Sequence, residues 1–308
     1  VARLATQTRE QVDECREAFD KNDESLGGLQ ILLEERTARI DALREAEYGR
    51  LDETAQVYLD YTGASLPAAG HIRAHLALLE SGVYGNPHSG SPASIASTDL
   101  VEATRRDVLT WFNAADDYIV VFTPNATGAI KLVAESFPFG AGSRLLLTAD
   151  NHNSVNGVRE YALARGASVD YAPLTVPELR LDTAGVASRL AGDPQGTAPR
   201  LFAYPAQSNF SGVKHPLRLV ADAQAHRWHV LLDAAAYVPT NRLDLSLVRP
   251  EFVSVSFYKM FGYPTGVGAL LIRRDAVALL ERPWFAGGTV NFATVGGRAH
   301  LLATGEAA

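Results

Sequence analysis

A lysine that does chemistry has to give up its charge, and this sequence offers few candidates. Lys21, Lys131, Lys214 and Lys259 are its only lysines among 28 Lys and Arg residues. Lys259 stands in "FVSVSFYKMFGYPTGVGALLI", residues 252–272, after an alternating run and among Phe257, Tyr258, Met260 and Phe261. An ammonium walled in by apolar groups is disfavoured against the neutral amine, which is the form that attacks a carbonyl. A surface lysine laid along apolar side chains would read similarly, but the aromatic neighbours and Ser256 argue against it. Asp233, in "VLLDAAAYVPT", ends a run of apolar residues, where a carboxylate is costly to bury unless a cation or a hydrogen-bond donor meets it. An ordinary cap at a strand end is the competing reading. In "TPNATGAIKLV", small residues lead directly into a helical pattern, so backbone N–H groups, the Thr127 hydroxyl and the helix dipole could receive an anion. Thr123 or Asn125 could equally be a simple N-cap.

These residues need a scaffold that brings them together. Short apolar runs at 118–122, 144–148, 168–172, 200–204, 229–233, 252–256 and 267–272 alternate with helical stretches such as "GAIKLVAESF" and "HPLRLVADAQAHR". Continuous apolar strands separated by helices predict a three-layer αβα fold around a mixed, mostly parallel seven-stranded sheet. The last two runs are too close for a crossover helix, so one of them is expected antiparallel. Ligands bind beyond the carboxyl ends of such strands. Lys259, Asp233 and the "TPNATG" turn each follow a strand.

A lysine, an acid and an anion cradle, ordered cradle–acid–lysine, match the needs of pyridoxal 5'-phosphate. That cofactor takes an amine for its imine, an acid to keep its pyridine nitrogen protonated, and a helix N-terminus for its phosphate. The segments "YLDYTGASLP", "GNPHS", "FTPNATGAIKLVAESF", "YPAQSNFSG", "LLDAAAYVPT", "SFYKMFGYPTGVGALL" and "FAGGTV" carry a resemblance over roughly residues 57–290. As an ordered set they resemble fold-type I pyridoxal-phosphate enzymes of the class V aminotransferase and cysteine desulfurase group, and within it the N-terminal part of molybdenum cofactor sulfurase-like proteins.

The resemblance implies roles. Lys259 would be the Schiff-base lysine and Asp233 the partner of the pyridine nitrogen. Ala126, Thr127 and Ser256 would bind the phosphate, and Asn209 the phenolic oxygen. His152, in "DNHNSVNG", would stack on the ring and relay protons. Thr289 would reach the phosphate of a partner subunit in a homodimer whose active sites lie at the interface, and Asn86 and His88 would line the entrance. Ala236 stands where many relatives carry Gln or His. The implied substrate is an amino acid. The expected reaction is desulfuration of cysteine, with transamination, elimination or epimerisation on the same scaffold as alternatives, and a catalytically incomplete cofactor-binding fragment as a third possibility.

Composition bounds the rest. A net charge of −7 and a pI near 5.6 give no pull toward nucleic acid or an anionic membrane. No apolar run is long enough to span a bilayer, and the first residues lack a signal-peptide core. Cys15, the only cysteine, excludes an internal disulfide framework and is expected to be structural, so a cytoplasmic protein is expected. His71 and His75 have the i,i+4 spacing of a zinc helix but lack its glutamate, and read as a solvated face; His226 and His229 lack a third ligand. No metal is expected. The chain divides into an N-terminal helical segment (1–55), in which Leu29, Leu32, Leu33, Arg36, Ile40 and Leu43 share a face, a cofactor-binding domain (56–290), and the start of a smaller C-terminal domain (291–308). In the family, that smaller domain supplies a carboxylate-binding arginine and a mobile cysteine.

Overall fold

A computed structural model describes residues 37–87, 89–192, 196–285 and 287–303. The seven expected strands form one sheet: β1 (Tyr118–Thr123), β2 (Arg144–Thr148), β3 (Ser168–Ala172), β4 (Arg200–Pro205), β5 (His229–Asp233), β6 (Phe252–Ser256) and β7 (Gly268–Arg273). Their order is β1-β7-β6-β5-β4-β2-β3. Every pairing is parallel except the two made by β7, which runs antiparallel to both β1 and β6. The short link from β6 to β7 dictates this.

Side chains alternate along each strand, so the sheet supplies two cores. On one face Leu146, Phe202, Tyr204, Val230, Leu232, Val253 and Val255 pack with Val108 and Phe112 of the segment after Ser91 and with Val186 and Leu190. On the other, Leu145, Leu147, Leu201, Leu231 and Phe252 pack against Ile130, Val133, Val158 and Ala162. After α1 (Ala69–Ser81), which buries no residue, the helices that cover these faces include α2 (Pro92–Trp111), α3 (Ala126–Ser136), α4 (Asn153–Asn156), α5 (Val158–Ala164), α6 (Thr183–Ala191), α7 (Leu219–Ala225) and α8 (Phe257–Phe261). Removing a fully buried residue such as Leu231 would leave a cavity worth about 2–5 kcal/mol of stability.

The described residues separate into two compact units, one comprising 37–59 with Ala68–Arg73, the other Asp60–Pro67 with those from Ala74 to 303. In the first, residues 37–48 are helical and Glu47 Oε2 accepts the Gly70 N–H at 2.5 Å. Ile40 and Leu43, from the apolar face expected there, are 64% and 57% exposed, while Leu29, Leu32, Leu33, Arg36 and Cys15 lie outside the described residues. No helix among the described residues is long and apolar enough to cross a membrane.

Candidate active site

Three strands run out at one place. β4 ends at Pro205, β5 at Asp233 and β6 at Ser256, beside the turn from β1 into α3. Around these ends Ala126, Thr127, His152, Asn209, Asp233, Ser256 and Lys259 line a recess of about 60 Å³. Gln207, Asn209, Ala235, Ala236 and Lys259 also line a wider space of about 560 Å³, whose other walls include Tyr61, Thr62, Ser65 and Phe210.

The anion cradle is built from two directions. Asn125 caps α3, its Oδ1 accepting from the Gly128 N–H at 2.9 Å. Ser256 Oγ accepts the Ala126 N–H at 2.9 Å, which leaves its own hydroxyl hydrogen free to donate. The cap reading therefore holds, and the cradle expected here needs one adjustment: the Ala126 N–H is already engaged. The groups left for an anion are the Thr127 N–H, the Thr127 side chain and the Ser256 O–H. Gly268 makes this closeness possible, since a Cβ there would stand 2.6 Å from Asn125 Cα and from the Val255 carbonyl oxygen.

Asp233 is buried, and Ser254 Oγ and the Ala235 N–H both donate to its Oδ1 at 3.1 Å. Two bonds on one oxygen fix the carboxylate plane and leave Oδ2 for the recess that the residue lines. Lys259 is half-buried on α8. Lys131 is paired with Glu135 at 2.6 Å and Lys214 donates to Asn241 at 3.0 Å, whereas the Lys259 ammonium has neither a hydrogen bond nor an ion pair. It is the one uncommitted lysine among the described residues.

The wall expected around Lys259 needs correction. Of the four neighbours only Tyr258 lines the recess; Phe257, Met260 and Phe261 line a separate apolar cavity with Trp111, Phe112 and Phe122. One helical turn explains it, because positions i, i+3 and i+4 share a face. The lysine is instead held from behind. Ser65 Oγ donates to the Lys259 carbonyl at 2.6 Å, the Ser65 N–H donates to the Tyr258 carbonyl at 3.2 Å, and Gly262 closes α8 at a φ of +70°. A Cβ on Gly262 would collide with the backbone of Ser65, Leu66 and Pro67.

His152 caps α4. The Ser154 N–H donates to its Nδ1 at 3.1 Å, so Nδ1 is an acceptor and a neutral ring carries its proton on Nε2. Ser154 Oγ lies 2.9 Å from the same Nδ1 and 2.7 Å from Thr127 Oγ1, tying the imidazole to the cradle. Ser154, Gln207 and Ser65 are site residues that sequence reasoning missed; only Ser154 carried a local signal, as a hydroxyl two positions after a capping histidine. Asn209 sits in a loop closed by the Ser208 N–H to the Val213 carbonyl at 2.9 Å, with Ser208 Oγ accepting from the Phe210 and Ser211 N–H groups at 3.3 Å.

Other expected residues lie elsewhere. Thr289 lines a different cavity with Ile119, Leu132 and Arg282. Asn86 is exposed and lines neither the recess nor the wider space, and His88 lies outside the described residues. His75 is not merely a solvated face: its Nδ1 is 2.7 Å from the Tyr263 hydroxyl, just beyond α8.

Comparison with known proteins places the chain. The family model for Aminotransferase class-V matches residues 57–301. Molybdenum cofactor sulfurase of Solanum lycopersicum is 41% identical over 283 residues, covering 82% of this chain and 34% of that protein. The Homo sapiens protein of the same name is 42% identical over 265 residues, covering 81% and 29%. The chain thus spans about a third of the length of the curated relatives it matches. Among solved structures, the apo cysteine desulfurase from Thermococcus onnurineus NA1 aligns with a TM-score of 0.75 at 23% identity, over 87% of this chain and 64% of that one. The cystine C-S lyase C-DES bound to cysteine persulfide aligns at 0.63 and 20% identity, over 80% and 65%. At these identities the structures share the fold, while the match across residues 57–301 goes further: the chain belongs to the aminotransferase class-V family.

Proposed function

We propose that the chain is the cofactor-binding part of a pyridoxal-phosphate enzyme acting on an amino acid, with cysteine desulfuration of the molybdenum cofactor sulfurase kind as its reaction. One observation carries the reading: the uncommitted ammonium of Lys259 and the half-satisfied carboxylate of Asp233 line one recess with a helix N-terminus. The buried Asp233 oxygen is costly to leave unpaired, and together the two groups suit a planar ring with a nitrogen at one end and an anion at the other. The similarity to molybdenum cofactor sulfurases supports the choice of reaction.

When bound, pyridoxal phosphate supplies an aldehyde for an amine and a protonated ring that withdraws electrons from the substrate α-carbon. The chain's own residues do the rest. Thr127 and Ser256 would hold the phosphate by N–H and O–H donors. Asp233, its plane fixed by Ser254 and Ala235, would hold a proton at the ring nitrogen through Oδ2. Lys259 would carry the aldehyde and afterwards move a proton at the substrate α-carbon through Nζ. Asn209 would hold the phenolic oxygen by its amide, and His152, fixed by Ser154, would offer the Nε2 proton over the ring. Asn86 and His88 would serve the entrance.

Residues 56–290 form the cofactor-binding domain of this reading, between an N-terminal segment (1–55) and a smaller domain starting at 291. Thr289, away from the recess of its own chain, would act on the phosphate of a second subunit in a homodimer. A cytoplasmic location fits a single cysteine in 308 residues.

The test is direct. Protein mixed with pyridoxal phosphate gains a visible imine band, borohydride fixes it, and peptide mapping finds the pyridoxyl group on Lys259. A label on Lys131 or Lys214 overturns the assignment. Release of alanine from cysteine decides for desulfuration; its absence alongside turnover of another amino acid decides for transamination, elimination or epimerisation.

A further inference from the structure

The two loops that carry His152 and Asn209 share a buried polar pair that the proposed chemistry does not use. Asp150 Oδ2 and His215 Nε2 are 2.8 Å apart, with side chains only 3% and 1% exposed. Asp150 follows β2 and stands two residues before His152. His215 follows β4 and closes the loop that carries Gln207 and Asn209, its N–H donating to the Ala206 carbonyl at 3.0 Å. β2 and β4 are parallel neighbours, so the pair joins two adjacent strand ends across 65 positions of sequence. Asn151 adds a parallel tie, donating from Nδ2 to the Ala203 carbonyl at 3.0 Å. Asp150 Oδ1 and His215 Nδ1 are buried with no hydrogen-bond partner, so the Oδ2–Nε2 bond is the direct link between the two side chains. Burial pushes the Asp150 carboxyl up, but the bonded imidazole, with the Thr148 and Ser208 hydroxyls close by, pulls it below the usual carboxylate range.

We propose that Asp150 and His215 are positioning residues that clamp the two loops together, and so fix His152 and Asn209 relative to one another across the recess. Neither touches the reacting atoms. Their effect is on the alignment of groups that do, through the loops they hold.

The test uses hydrogen exchange of the apo protein, which does not depend on the proposed function, and pyridoxal phosphate titration, which does. His215→Phe and Asp150→Leu are each expected to speed amide exchange in both segments, 149–157 and 206–215, including the one left unmutated. Asp150→Asn, whose amide still meets the imidazole, restores slow exchange in both. In titration, His215→Phe weakens pyridoxal phosphate binding by about tenfold, the equivalent of one lost hydrogen bond, and Asp150→Asn stays near the parent protein. Should His215→Phe fail to fold, His215→Leu, which likewise cannot donate to Asp150, carries the same expectation. Exchange that rises only in the mutated segment, or in neither, overturns the clamp. Coupled exchange in a protein that never binds pyridoxal phosphate upholds the clamp and overturns the proposed function instead.

Discussion

The two ends of β5 and β6 treat charge in opposite ways. At the amino end, Glu251 is 3% exposed and fully engaged: it accepts from the Val230 N–H at 2.7 Å, Gln224 Nε2 at 3.0 Å and Arg273 Nη2 at 2.8 Å. Arg273 spends its other nitrogens on Asp275 at 2.6 Å and the Arg249 carbonyl at 2.7 Å. At the carboxyl end, one strand length away, Lys259 has no partner and Asp233 uses a single oxygen. The same sheet therefore carries one closed network and one open one. Closed networks hold a fold together, while open ones leave free energy available for a ligand.

Substitutions at the two ends should then part company, and the expected effects fall in this order. Lys259→Ala should lower turnover by about 10⁴-fold or more, at the upper end for a proton-transferring group, with the thermal midpoint unchanged because nothing in the fold depends on the amine. A midpoint that falls with it would make Lys259 structural. Glu251→Ala should remove about 3–5 kcal/mol of stability, measured by denaturant unfolding, since Arg273 is left without its buried partner; the cofactor band should keep its position. Asp233→Ala should slow turnover about 10²–10³-fold, as loss of a preorganised electrostatic partner does, with far less loss of stability than Glu251→Ala. Comparable losses of stability would erase the distinction between the two ends. Ser256→Ala should cost about 1 kcal/mol in phosphate or pyridoxal phosphate affinity, read by titration. The smallest effect is one of pH. Burial holds His229 below its ordinary value, so its contribution is complete above about pH 6.5 and is lost as pH falls through the lower folded value. His229→Gln should flatten that part of the stability curve.

Much of this arrangement was legible in the sequence, for identifiable reasons. Strand 229–233 is apolar on both sides because both faces of the sheet are covered, and the brief link ahead of Gly268 left only an antiparallel return. Asp233 and Lys259 stood out because they interrupt or follow apolar runs. What stayed hidden needed three dimensions. The turn of α8 that sends Phe257 and Met260 away from Lys259 depends on where the strand stops, and "FVSVSFYKMF" does not mark that point. The pairing of Asp150 with His215, and of His75 with Tyr263, joins residues 65 and 188 positions apart, and no local pattern encodes such partners.

The contact of Ser65 with Lys259, separated by 194 positions, has a consequence for how the molecule comes into being. A ribosome releases the "TGASLP" stretch long before the turn it fastens has been synthesised. Every intervening strand has to be made before the two can meet. The fastening thus waits on the last third of the synthesis of the sheet, and a chain that stops short of residue 258 gives Ser65 nothing to hold.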